Sequence, residues 1–166
     1  TFTYSWQTFS GDDPFTNDIE RFDPLYYEGS PSSWSTGSKS SMVFINSNVQ
    51  AHHLAVNFTP SEKHILTLRA AHIRVNELGS PVQFGQAARV DFSDGLSTVI
   101  TGVTDSHLAD DVFIEYTYLM SQHVFISLGF AVSFPGDGLD AAISSSGESA
   151  NAPSWPGGYA NIIVYL

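Results

Sequence analysis

Hydrophobic positions recur at period two through much of this chain, the signature of strands rather than helices. The longest run lies within residues 111–134. There Val124, Ile126, Leu128, Phe130, Val132 and Phe134 alternate with His123, Phe125, Ser127, Gly129, Ala131 and Ser133. Such a strand carries a continuous apolar ridge on one side and is nearly bare on the other. The segment before it sets Val112, Ile114, Tyr116 and Tyr118 on one side and Phe113, Glu115, Thr117 and Leu119 on the other, with Met120 to Gln122 as the turn. A ridge of this length needs a second layer to cover it, so the pattern predicts a β-sandwich with the ridge as its core.

The same alternation recurs elsewhere. Phe2, Tyr4 and Trp6 share one side of a strand at 1–10. That strand is expected to pair with a sheet edge or dock on a neighbouring subunit. Further strands are expected at 41–46 and 49–58, joined by Asn46-Ser47-Asn48, at 82–92 and 96–103 around Asp94-Gly95, and at 159–166. Residues 11–40 are irregular, 104–111 reads as a polar loop, and 136–156 as a Gly-, Ser- and Asp-rich excursion.

The segment 59–79 supports two readings. Thr59-Pro60-Ser61-Glu62 forms a capping box, and Ile65, Leu68, Ala71, Val75 and Leu78 recur at helical spacing. Against this, Leu66, Leu68 and Ala70 alternate, and so do Ala71, Ile73 and Val75, with a phase slip at Ala70-Ala71 that reads as a β-bulge. The strand-rich neighbourhood favours the second reading. The expected fold is all-β: one domain spanning 1–166, an antiparallel β-sandwich of jelly-roll type with about eight to ten strands.

Composition narrows the partners. The chain has 166 residues, enough for one full-sized core. Six Lys and Arg stand against 17 Asp and Glu, a net charge of −11, which argues against nucleic acid and anionic membrane surfaces. The absence of cysteine excludes disulfides and thiolate metal sites. No apolar run approaches the roughly 20 residues of a membrane helix. No secretory-leader pattern is present in the sequence, and a start at Thr1 is what is expected either of a product whose initiator Met was removed or of a mature secreted protein.

Several short motifs resemble a known domain. Phe58-Thr59-Pro60-Ser61, Leu66-Thr67 and Gly79-Ser80-Pro81 are similar to the opening of a jelly-roll accessory domain of phage tail or fibre proteins and bacterial surface proteins. The ridge strand 124–134 sits where that family has its long penultimate strand, and Trp155-Pro156-Gly157-Gly158-Tyr159-Ala160 is similar to its closing motif. The resemblance spans about residues 54–166. It implies a non-catalytic β-sandwich with a role in carbohydrate binding, and no fixed catalytic residues.

Candidate chemistry is sparse. No GxSxG elbow is present, and Asp12-Asp13 and Asp110-Asp111 are adjacent pairs whose carboxylates point apart in an extended chain. Glu115 is expected to face solvent. His52 and His53 point to opposite faces of a strand, and His64 and His72 are too far apart to chelate by themselves, ~27 Å in a strand or ~12 Å in a helix. Surface or interface histidines are the better reading. Asp137 and Asp140 flank Gly138 and offer oxygens to calcium, the one cofactor the sequence suggests. Aromatic residues give the stronger cue. Trp6 on the first strand, with Tyr26, Tyr27, Trp34, Trp155 and Tyr159 in or beside loops, suits subunit contacts or stacking on sugar rings. The function expected is a non-enzymatic structural protein of a virus particle, a phage capsid-decoration or tail component located in the virion. Its partners would be other copies of itself and neighbouring virion proteins, with glycans as a further ligand. The alternative is an extracellular carbohydrate-binding module or lectin.

Overall fold

The computed structural model describes residues 1–20, 47–80, 103–145 and 152–165. Among these, the chain is all-β: six antiparallel strands in one open sheet, with one short helix. The strands are β1 (Phe2–Phe9), β2 (Val49–Ser61), β3 (His64–Val75), β4 (His107–Leu119), β5 (Val124–Pro135) and β6 (Trp155–Val164). Helix α1 (Asp137–Ser145) follows β5. Sequence neighbours are sheet neighbours, so β1 and β6 form the edges. The strands expected at 41–46, 82–92 and 96–103 lie in or run into segments outside the described residues.

The segment 59–79 is strand. Leu66, Leu68 and Ala70 occupy one face and Ala71, Ile73 and Val75 the other, and pairing with β4 runs unbroken from His64 to Ile73. There is no slip at Ala70-Ala71: β3 is apolar on both faces near its centre, which mimics one. Three other boundaries also differ from expectation. β4 begins at His107, inside the expected polar loop. β6 begins at Trp155, because an edge strand tolerates Pro156 and its missing N–H. The excursion after β5 opens as a helix, nucleated where the Leu139 and Asp140 amides donate to the Gly136 carbonyl at 3.0 and 3.1 Å. Asp137 and Asp140 in its first turn suit the positive end of the helix dipole.

The register assigns every side chain to one of two faces. On one face the rows run Phe2–Val56–Leu68–Ile114–Phe130 and Tyr4–Leu54–Ala70–Val112–Val132. Phe58–Leu66–Tyr116–Leu128 forms a third. This is the ridge, extended across all the strands. It is open: Phe2 is 67%, Phe130 50% and Ile162 71% exposed. The buried core lies on the opposite face. Val49, Ala51, Ala71, Ile73, Val75 and Ala109 pack there with Leu108, Val103 and Leu139, flanked by Phe9 and Trp155. The ridge was expected to be the buried side. The small residues Ala51, Ala71 and Ala109 instead let α1 and the connections settle closely on the other face, and no described element covers the ridge.

Connections are segregated by length. The β2–β3 and β4–β5 turns are tight and share one end of the sheet, where the Leu119 amide donates to the Lys63 carbonyl at 2.8 Å. The three long connections leave from the other end, above the core. Asn48 gathers them. Its side chain donates to the carbonyls of Glu77 (3.0 Å) and Ser80 (3.2 Å) and accepts from the Glu77 amide (2.8 Å). Its own amide donates to the Ser10 carbonyl at 3.1 Å. It is fully buried and holds φ 54°, a left-handed conformation that asparagine tolerates better than most residues. Asn48→Ala is expected to cost about 2–4 kcal/mol in urea denaturation, from stranded buried partners plus backbone strain. Asn48→Gly relieves only the strain and is expected to fall about 1 kcal/mol short of that loss.

Candidate functional site

The ridge face ends, toward the long connections, in a polar row: Trp6–His52–His72–Asp110, with Phe134 beyond. Tyr4 Oη and His52 Nδ1 share a hydrogen bond at 2.8 Å. Just beyond the row, β4 carries a bulge. Ile73 pairs with Ala109 and Arg74 with His107, leaving Leu108 as the extra residue. Strict alternation would send His107 inward and Leu108 outward. The bulge reverses this. Leu108 and Ala109 are both buried in the core, and His107 turns to the ridge face beside Asp110.

The result is a convergent cluster. His72 Nδ1 lies 2.6 Å from Asp110 Oδ1 and His107 Nε2 lies 3.0 Å from Asp110 Oδ2. The two imidazoles stack with centroids 4.9 Å apart. The three donor atoms all lie within 4.8 Å of one another. His107 Nε2 is sealed from solvent and, despite its approach to Asp110, forms no hydrogen bond of acceptable direction. The ring is seated over Gly136, where a Cβ would come within 2.6 Å of His107 Cγ and Nδ1. His72 and Asp110 are half exposed, so one side of the cluster faces solvent.

A second group of polar residues occupies the core-side face beyond the core. Tyr159 Oη donates to Glu115 Oε2. The Tyr159 ring lies over Gly129, whose missing side chain makes room for it, and stacks on Phe113 at 6.4 Å. The Arg69 guanidinium sits 5.4 Å from the Phe113 centroid on the same face. Burial, followed by the Glu115 hydrogen bond, pushes the Tyr159 phenol up to about 12. Glu115, expected in solvent, is instead partly buried and bonded. Nearby, burial holds the His53 imidazole below its usual range, with the charges of His52 and Arg69 adding to the effect.

No family matches the chain, and neither a curated protein nor a solved structure matches it.

The residues singled out from sequence are dispersed. Trp6 is exposed on the ridge face, in the same row as the histidine cluster. Trp155 and Tyr159 lie in β6 rather than in a loop, with Trp155 packed against the core. Tyr26, Tyr27 and Trp34 fall outside the described residues. Asp137 and Asp140 begin α1, and Asp140 Oδ1 accepts from the Ala152 amide at 2.7 Å, which gives it a structural partner. His52 and His53 do face opposite sides, and His64 and His72 stand near opposite ends of β3. Sequence reasoning set His72 aside because it searched for partners along the chain. The partners, His107 and Asp110, come from the next strand. Only the register could have identified Asp110, and only the bulge brings in His107.

The Tyr159 contact has a pH signature. A phenol whose folded pKa lies above its ordinary value of 10.0 contributes stability in full below pH ~10, and the contribution is lost as pH rises through about 12. Ultraviolet titration is expected to show a phenolate step near pH 12 that disappears in Tyr159→Phe. Glu115→Gln should move that step down toward 10.

Proposed function

We propose that this protein is a non-enzymatic structural subunit that assembles through its open ridge face, with the corresponding face of a second copy as the covering layer. The observation that carries this reading is the uninterrupted apolar face. Three in-register rows, two running from β1 to β5 and one from β2 to β5, present Phe, Tyr, Leu, Val and Ile to solvent. Contiguous exposed apolar patches on monomers rarely exceed a few hundred Å². Six strands about 4.8 Å apart and roughly 30 Å long present roughly 700–800 Å² of sheet. That matches the ~800 Å² each partner contributes to a stable interface. Two such faces stacked about 10 Å apart form a β-sandwich. An apolar face of this kind can close on the same face of a second copy about a twofold axis, without a special partner. A virus particle, the setting implied by the resemblance of its turn motifs, is the assembly we assign it to.

A carbohydrate-binding module is the second reading, and Tyr159 favours it. Its ring lies flat on Gly129 at 40% exposure with Glu115 beside it, an aromatic platform next to a hydrogen-bond acceptor. On this reading Tyr159→Ala abolishes binding on a glycan array.

Sedimentation velocity separates the readings. The full chain is expected to be dimeric or larger at micromolar concentration, and Phe130→Asp or Ile114→Asp, central in the face, should weaken association at least about tenfold. Removing residues 1–9 takes away Phe2, Tyr4 and Trp6 and is expected to weaken it as well. A monomer that ignores these changes overturns the proposal and favours a jelly roll whose second layer comes from the same chain. Partition into lipid vesicles without self-association overturns it in favour of a membrane surface.

A further inference from the structure

We propose that His72, His107 and Asp110 form a binding site for a divalent transition-metal ion, with Zn²⁺ the ion their donors fit best. Two imidazoles and one carboxylate are borderline donors that suit Zn²⁺ and its neighbours, and do not suit Ca²⁺ or Mg²⁺, which take oxygen. Three protein ligands with a fourth position left to solvent is a common arrangement for zinc. Here the solvent-facing side of the cluster provides that fourth position, since His72 and Asp110 are 45% and 47% exposed.

The geometry is close to a bound one. Zinc ligands at about 2.0–2.1 Å in tetrahedral array stand roughly 3.3–3.4 Å from one another. The contacts to Asp110 are 2.6 and 3.0 Å, and all three donors fall within 4.8 Å. Small side-chain rotations therefore open the cluster around an ion without moving the backbone. A hydrogen-bonded His–Asp pair accounts for His72 and Asp110 alone. It does not account for His107, whose Nε2 is withdrawn from solvent, lies 3.0 Å from a carboxylate oxygen, and makes no hydrogen bond. A lone pair directed at a shared ion accounts for all three. The supports are structural as well. The bulge at Leu108 turns His107 outward, and Gly136 leaves the space its ring occupies. His52, the next residue of the row, is held by Tyr4 and stays outside the cluster.

The test is calorimetric titration of the untagged, chelator-treated full chain with ZnCl₂, paired with thermal unfolding. One Zn²⁺ per chain is expected, with a rise in melting temperature that Ca²⁺ does not produce. His107→Ala and Asp110→Asn, confirmed folded by circular dichroism, should each weaken Zn²⁺ binding roughly 100-fold. His64→Ala, on the same face but away from the cluster, should bind as wild type. Gly136→Ala keeps all three ligands but sets a methyl 2.5 Å from the His107 carbonyl and 2.6 Å from its ring, shifting both, so it should weaken binding roughly tenfold. If His107→Ala prevents folding, His72→Ala, at a half-exposed ligand, carries the test with the same expected loss. Absence of Zn²⁺ binding by the wild type, or equal binding by wild type and the folded variants, overturns the proposal. The cluster shares the ridge face with the assembly reading, so the titration is repeated on Phe130→Asp, which weakens association and leaves the ligands intact: it should bind Zn²⁺ as wild type, and loss of binding there overturns the site as a property of the single chain.

Discussion

The in-register pairing of six antiparallel strands is the constraint on which everything else in this molecule depends. Side chains alternate across each strand, and the pairing aligns those alternations from β1 to β6. A residue's parity therefore decides its face, and the face decides whether it meets α1 and the long connections or the open side. The ridge parity carries mostly large apolar residues, while the other mixes large apolar residues such as Ile73 and Val75 with alanines and polar groups. Ala51, Ala71 and Ala109 make that second face the one on which α1 and the connections settle.

Order at the end of the sheet bearing the long connections rests on a second, smaller arrangement. Strand pairing alone does not hold together segments that leave from 10, 48, 76 and 136. Buried Asn48 does so for the first three, its side chain bonded to backbone groups of Glu77 and Ser80 and its own amide to the Ser10 carbonyl. Leu139, carried by α1, completes the core beneath. Among the described residues, the polar half of the same face has no helix packed on it. It is stabilised by hydrogen bonds between neighbouring strands, with Thr67 donating to Asn57 at 2.8 Å and Thr117 and Ser127 bonded at 3.0 Å. One face thus combines a packed region and a hydrogen-bonded region.

Much of the fold was legible because strand periodicity is written locally. The tight turn at 120–122, the ridge from Val124 to Phe134, the strand from the second residue and the turn at Asn48 all follow from short windows of sequence. Which side the ridge would bury was not legible. Alternation shows that two faces differ, and the identity of the cover depends on how distant segments pack. The helix at Asp137 was hidden for a different reason: Gly138 and Ser144-Ser145 are poor helix formers, and the anchoring of Leu139 in the core is a tertiary effect. The histidine cluster was least legible. His72 and Asp110 belong together only through β3–β4 register. His107 joins them only because one residue of β4 breaks the alternation that makes sheets readable.

That single extra residue has a consequence for how the chain can change over time. Leu108 and His107 exchange faces relative to a regular strand, so a core contact and a surface imidazole are set by the same backbone irregularity. Individual side chains here can be replaced one at a time. The number of residues between Ser106 and Ala109 has no such freedom. Losing Leu108 would remove a core contact while His107 stayed on the ridge face, and losing His107 would turn Leu108 out of the core. Change in this part of the chain is therefore confined to substitution, and strand length itself is the inherited trait.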